Sequence, residues 1–310
     1  MPALRRAGTG ARGRVTARWL VLVALAGCSK KVDDKSGVAV PAPFDEVDVD
    51  VPPGMSDLSL DDGGHLWSIA ERERTVVEIE LDPQHATTKV TRHPLDDVPD
   101  GVDTEALSWL GGGKFAVGTE GQEDPTATVM FGELASDGHI KLHPGIDLTD
   151  AILGVTLVKN HGVEALCGRG DDLLVGIESW GTFPDNTRWA PLVRVHAGAV
   201  TGVQKLKLTT ATGKISAMTC TFAADGTIDA IAIERHYGVS RILTFSVPLG
   251  TDIITPAVAL DLWPVVRDRY HGKLNLEGIV KLADGRWVLI NDNQGARVDG
   301  PTKLFVFHPR

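Results

Sequence analysis

The chain has 310 residues, a formal net charge of −10 at pH 7 and 43% hydrophobic residues. This length is enough to bury one large core. The acidic charge balance argues against nucleic acid as a partner, because nucleic acids are bound through cationic patches. Glycine and proline are plentiful, and short alternating apolar runs lie between turn residues, which indicates an all-β fold.

Residues 1–27 have the pattern of a lipoprotein signal peptide. Five arginines and no acidic residue precede an apolar run at residues 19–25. A run this short cannot span a bilayer, which takes about 20 residues, but it is typical of a signal peptide. It ends in Leu25-Ala-Gly-Cys28, which resembles the bacterial lipobox. We therefore predict a lipid anchor on Cys28, with a chance cysteine after an ordinary signal peptide as the alternative.

The segment 28–43 is polar and then proline-rich, as expected of a flexible tether. Ser29 follows the cysteine where an aspartate would retain a lipoprotein in the inner membrane, so an outer-membrane anchor in the cell envelope is favoured. Removing the signal peptide takes away five basic residues and no acidic ones, which leaves a net charge near −15. We expect a monomer whose membrane contact is the lipid and whose surface can attract cations.

Residues 44–310 contain an internal repeat. Five segments each read as a hairpin with a glycine-rich turn, followed by one or two further strands. Their starts are 49, 59, 52 and 61 residues apart, the spacing typical of four-stranded propeller blades. The segments are 56–71, 105–120, 164–178, 216–234 and 277–292.

The fifth repeat lacks an outer strand, and the segment 44–51, which alternates cleanly, precedes the first repeat. We predict that this segment completes the last blade and closes the ring, which would protect two sheet edges. The prediction is a five-bladed β-propeller, with a six-bladed one as the alternative. Cys167 and Cys220 lie in predicted apolar strands, and we expect two buried thiols even though the envelope permits a disulfide.

Carboxylates mark the ends of the hairpins. In an antiparallel hairpin the start of the first strand lies beside the end of the second, so both sets should meet at one rim of the channel. Five acids end the hairpins and three begin them: Glu71, Glu120, Glu178, Glu234 and Asp292, and Glu105, Glu164 and Glu277. Like charges this close must be protonated or neutralised.

A bound cation would neutralise the rim. Oxygen ligands suit calcium best, with magnesium or manganese next, and no His/Cys cluster has zinc spacing. The alternatives are ion pairs with nearby arginines and lysines, or acids that simply fix strand ends. His161 and His271 are candidates for moving protons. Trp180, Trp189 and Tyr237 would form a stacking wall or pack between blades.

Asn275-Leu-Glu-Gly-Ile and the segment 284–293 resemble the closing repeat of the phytase-like family, described as having esterase-like activity. Asp103-Thr-Glu-Ala-Leu and Val163-Glu-Ala-Leu are similar to its inner-strand starts. The resemblance spans roughly residues 50–308. It implies an envelope propeller with calcium-assisted cleavage of esters or phosphoesters.

A second resemblance is to gluconolactonase-like and strictosidine-synthase-like propellers. Their single divalent cation would map onto five residues: Glu105, Glu164, Glu277, Asn291 and Asp292. The function remains open between a metal-dependent hydrolase of small esters or phosphoesters, a lactonase, and a non-catalytic propeller that binds a protein, glycan or small ligand.

Overall fold

A computed structural model of the chain describes residues 44–82, 84, 88–293 and 301–309. The predicted signal peptide, Cys28 and the tether to residue 43 lie outside the described residues. Strands make up most of the described chain, as the sequence predicts for an all-β protein.

Two four-stranded antiparallel meanders follow a short leading strand, β1 (Asp45–Asp48). The first contains β2 (Met55–Leu60), β3 (Leu66–Ala70), β4 (Thr75–Leu81) and β5 (Thr88–Asp96). The second contains β6 (Val102–Gly111), β7 (Lys114–Gly121), β8 (Ala127–Leu134) and β9 (Ile140–Asp147). Their outer strands β5 and β9 are joined by a short parallel pairing at Leu95 and Ile140.

The third and fourth meanders follow helix α1 (Asp150–Leu153). The third contains β10 (Val163–Arg169), β11 (Asp172–Ile177), β12 (Gly181–Thr182), β13 (Arg188–His196) and β14 (Ala199–Lys207), with β12 as a short addition to β13. The fourth contains β15 (Lys214–Phe222), β16 (Ile228–His236), β17 (Val239–Val247) and β19 (Ala257–Asp261). The short strand β18 (Ile253–Ile254) pairs with β14 of the preceding meander.

The fifth meander joins the two ends of the described chain. It follows helix α2 (Trp263–Tyr270) and contains β20 (Asn275–Lys281), β21 (Trp287–Asp292) and β22 (Lys303–Phe307). Its outer strand is β1, which pairs antiparallel with β22. The closing role predicted for segment 44–51 is therefore confirmed. Among the described residues, no helix has the length and apolarity needed to cross a membrane.

The first strands of the meanders contact one another in a closed cycle, β2–β6–β10–β15–β20 and back to β2. Hydrophobic clusters fill the space between each pair of neighbouring meanders, because alternate side chains of a strand face opposite sheet surfaces. The result is a propeller-like ring with the first strands innermost.

Every inner strand has an irregular register at the same height. The irregularity leaves a single residue out of the ladder in four strands (Glu105, Glu164, Ser216 and Glu277), and it leaves both Asp57 and Leu58 out in β2. A bulge turns the extra residue's side chain away from the regular alternation. In four of the five strands a carboxylate lies at this irregularity, and the backbone aims it differently from its strand neighbours.

Cys167 and Cys220 form a disulfide, with Cα atoms 5.8 Å apart. The prediction of two buried thiols is wrong. It treated each strand separately, whereas β10 and β15 are adjacent inner strands and place the two residues side by side. Both line a cavity of about 1060 Å³ that the inner strands form together.

Candidate functional site

The strand register brings the two sets of carboxylates to the same end of the ring. Asp103 lies opposite Glu120 in the β6–β7 ladder, and Asn275 lies opposite Asp292 in the β20–β21 ladder. Nine buried carboxylates lie at this end, and we call them the acidic rim. They are Glu71, Asp103, Glu105, Glu120, Glu164, Glu178, Glu234, Glu277 and Asp292.

Two groups of rim carboxylates are close enough to share one ion. In each group, one oxygen per residue lies within 4.8 Å of the others. One group is Asp103, Glu105 and Glu120, and the other is Glu120, Glu164 and Glu178. Glu120 belongs to both, so the five acids form one continuous cluster between the second and third meanders.

Glu105 and Glu164 stand out in this cluster. Their exposed fractions are 7% and 6%, and within the described chain neither carboxylate has a hydrogen-bond or ion-pair partner. A buried carboxylate without a partner is unfavourable when charged, so a bound cation would stabilise the pair. Ser56 Oγ donates to the backbone oxygen of Glu105 at 2.6 Å, which helps to fix the bulge in β6.

Proton affinities in the rim reflect this crowding. Burial, followed by repulsion from Asp292, raises the pKa of Glu71 to about 9. Burial and the charge of Glu164 raise the pKa of Glu120 to about 7, although Gly162 N–H donates to Glu120 at 3.2 Å. Burial also raises the pKa of Glu105 well above its ordinary value.

One side of the rim is neutralised by an arginine, as the ion-pair alternative predicts. Arg235 donates two hydrogen bonds to Glu277, the Nε–Oε2 bond at 2.9 Å. Asn275 Nδ2 donates to Glu277 at 2.7 Å and to Asp292 at 3.1 Å. Burial still raises the pKa of Glu277 to about 7, against the opposing effect of Arg235.

Two further rim acids have protein partners. Glu178 forms an ion pair with Lys214. Glu234 accepts hydrogen bonds from the backbone N–H and hydroxyl groups of Thr209 and Thr210. These acids fix the loops around the rim, which matches the prediction that part of the set is structural.

His161 reaches the cluster and His271 does not. The Nδ1 atom of His161 is 3.6 Å from Glu178 Oε2, and burial and Lys214 lower the pKa of His161. His271 lies in an exposed turn at the end of α2, and within the described chain it makes no polar contact with a rim acid. Asn291 also faces elsewhere, since its Oδ1 accepts the Lys303 N–H at 2.7 Å.

Aromatic residues differ in their exposure around the rim. Trp180 is 40% exposed and lies 5.5 Å from the His161 ring, with the Arg188 guanidinium 3.8 Å from its own ring. Tyr237 is also exposed. Trp189 is buried and belongs to the core between the second and third meanders. Only the first two can contact a ligand.

Asp57 is a buried acid that the sequence reasoning missed. Its Oδ1 accepts the Leu58 N–H at 2.8 Å, and its Oδ2 accepts the N–H groups of Leu107 and Leu166 at 3.2 Å each. It therefore ties the inner strands of three meanders together. The repeat contained a signal, because Asp57 occupies the position that alanine or glycine has in the other four segments.

No family model and no curated protein matches the chain. Solved structures with similar folds include the PQQ-bound aldose sugar dehydrogenase of Streptomyces coelicolor (10% identity, 87% of this chain and 99% of that one, TM-score 0.48). A GH43 β-1,3-galactosidase is also similar (9% identity, 82% of this chain and 90% of that one, TM-score 0.49). So is a putative gluconolactonase (16% identity, 83% of this chain and 75% of that one, TM-score 0.38). Similarities at this level carry no conclusion about activity.

Proposed function

We propose that the chain is a five-bladed β-propeller whose acidic rim binds a divalent cation, calcium in preference, and hydrolyses a small neutral ester or lactone. The observation that carries the proposal is the pair Glu105 and Glu164, two buried carboxylates with no hydrogen bond and no close ion pair in the described chain. Both lie within reach of Glu120. The five meanders supply one blade each.

The residues present fit a hard cation. The cluster offers carboxylate oxygens only, which favours calcium over zinc. Glu120, Glu164 and Glu178 would hold the ion, with Asp103 and Glu105 at its margins. When bound, such an ion polarises the carbonyl group of an ester or lactone and so assists attack by water.

The chain's own residues supply proton transfer and substrate contact. His161 is neutral at pH 7, because burial and Lys214 lower its pKa, and it can take a proton from the attacking water. The Glu178 carboxylate lies 3.6 Å from Nδ1 of this imidazole, close enough for its charge to stabilise the imidazolium that forms when the proton is taken. Trp180 offers an exposed aromatic surface beside this histidine for the apolar part of a substrate.

The charge of the rim favours a neutral substrate over a phosphoester. Described cations pair with Glu178, Glu277 and, at 3.9 Å, Asp103, which still leaves an excess of carboxylates around the proposed ion. A phosphate group would meet this negative field. We therefore propose ester or lactone cleavage. An esterase activity is implied by the resemblance to the phytase-like family, and a lactonase activity by the resemblance to gluconolactonase-like propellers. We propose that the protein is lipid-anchored in the cell envelope, at the outer membrane.

Calcium binding and turnover together test the proposal. Titration calorimetry on the wild type should show one calcium ion per chain, and a screen of acetate, lactone and phosphate esters should show hydrolysis of a neutral substrate. Glu164→Gln removes one ligand charge and should weaken calcium binding and turnover at least about tenfold. Glu80→Gln, at an exposed pair with Lys89, is the matched control.

A non-catalytic propeller that binds a ligand is the competing function. It predicts that calcium binds and depends on Glu164 while no ester is cleaved at a rate above background. A wild-type protein that binds no calcium and cleaves no substrate contradicts the proposed site itself.

A further inference from the structure

A second polar cluster lies at the hairpin-turn end of the first meander. Asp61 and His65 flank the turn between β2 and β3, and Glu78 lies on the neighbouring strand β4. One ligand atom of each lies within 4.8 Å of the others. His93 on β5 lies outside this group, and its Nε2 is 3.4 Å from Oε2 of the same glutamate.

The buried imidazole of His93 is oriented from outside the cluster. Its Nδ1 is 2.9 Å from the carbonyl oxygen of Gly138, and a carbonyl can only accept, so Nδ1 carries the proton. In the neutral ring, Nε2 then presents a lone pair to Glu78 Oε2 at 3.4 Å. A histidine that donates its second ring N–H to a backbone carbonyl is the usual arrangement at metal sites.

Of the three histidine–carboxylate separations in the cluster, two match metal ligands, and the third, from His65 Nδ1 to Glu78 Oε1, is 2.7 Å. A tetrahedral ion with bonds of about 2.0–2.1 Å holds its ligand atoms roughly 3.4 Å apart, whereas hydrogen bonds are typically about 2.7–3.2 Å. His93 Nε2 and Glu78 Oε2 are 3.4 Å apart, and so are His65 Nδ1 and Asp61 Oδ2.

Asp61 and Glu78 are also held in position. Asp61 Oδ1 accepts the N–H groups of Gly63 and His65 at 2.8 Å each, and Trp67 Nε1 donates to Asp61 Oδ2 at 3.1 Å. The contact of 2.7 Å between His65 Nδ1 and Glu78 Oε1 would open by less than about 1 Å to admit an ion between them.

We propose that Asp61, His65, Glu78 and His93 form a transition-metal site, with zinc as the best-matched ion. Two imidazole nitrogens and two carboxylate oxygens suit zinc rather than calcium. These ligands have no zinc-site spacing along the chain, because they come from a turn and two separate strands. This site does not depend on the proposed hydrolase activity.

The test uses the full-length chain with excess calcium, so that the rim is occupied, and Co²⁺ and Zn²⁺ as probes. Co²⁺ should give the strong visible absorption of a tetrahedral site with nitrogen ligands, and Zn²⁺ should displace it one to one. His93→Gln and the more exposed His65→Gln should each weaken binding about tenfold or more. His196→Gln, at an exposed pair with Asp172, should bind as the wild type does.

Three results would overturn the site. They are a wild type without the tetrahedral Co²⁺ spectrum, zinc binding that both histidine variants retain, or zinc binding that Glu164→Gln abolishes. Thermal unfolding of the metal-free variants separates metal ligation from a simple ion pair. In the ion-pair case the variants lose stability without metal, and Zn²⁺ adds no stability to the wild type.

Discussion

At the residue scale, Asp57 shows how one buried carboxylate can organise several strands. Its backbone is left-handed, with φ at 55°, and its carboxylate accepts N–H groups from two neighbouring inner strands. Burial raises its pKa well above the ordinary value, despite three backbone donors. Gly278 lies so close to the Asp57 backbone that position 278 has no room for a larger side chain.

Substitutions of Asp57 should separate its charge from its hydrogen bonds. Asp57→Asn keeps an accepting oxygen and should cost less than about 1 kcal/mol of unfolding free energy. Asp57→Ala leaves the Leu107 and Leu166 N–H groups buried without an acceptor and should cost about 2–4 kcal/mol. Urea unfolding measures both, and equal losses in the two variants would contradict this role.

The rim acids that end each hairpin were accessible to prediction from sequence, because a repeat reveals equivalent positions. What the sequence did not show was the partner of each acid. Arg235 pairs with Glu277 across two meanders, and Lys214 pairs with Glu178 likewise. Such pairs depend on how neighbouring sheets stack, which no local pattern encodes. The orientation of Asn291 toward Lys303 escaped prediction for the same reason.

At the element scale, the hairpins and the closing strand followed from alternation and turn residues. Segment 44–51 was expected to complete the last sheet, and β1 pairs with β22 as predicted. The bulges were not predicted, although the acids that they present were. A bulge adds one residue to a strand without any composition of its own, so only the register reveals it.

The Cys167–Cys220 bond links two inner strands that are 53 residues apart in sequence. Cross-linking a loop of this length should stabilise the fold by about 2–4 kcal/mol, because it restricts the unfolded chain. We expect the double variant Cys167→Ala/Cys220→Ala to lose about this much in urea unfolding at unchanged calcium affinity. An undiminished unfolding free energy would contradict the linkage.

At the scale of the whole molecule, the acidic rim makes stability depend on pH. Glu120 and Glu71 have pKa values of about 7 and 9 in the folded state and ordinary values near 4.5 in the unfolded chain. Between those limits the folded state binds more protons than the unfolded state. The stability from these groups is therefore present below the unfolded pKa and is lost as pH rises through the folded pKa.

The unfolding temperature of the metal-free protein should therefore fall from pH 6.5 to 9, by on the order of 5 °C. This window avoids interference from His161, whose lowered pKa leaves it neutral there. Added calcium should restore the loss at pH 8 and have little effect at pH 5, because protons compete for the same oxygens. Glu120→Gln should flatten the slope, and a wild-type midpoint that rises with pH would contradict the account.

The central claim is that Glu120, Glu164 and Glu178 hold one divalent cation at the rim of the ring. Anomalous diffraction from crystals grown with calcium at pH 8 tests it most directly. We predict a single strong peak within about 2.3–2.6 Å of oxygens from these three residues. Clear density for all three carboxylates with no anomalous peak between them would contradict it.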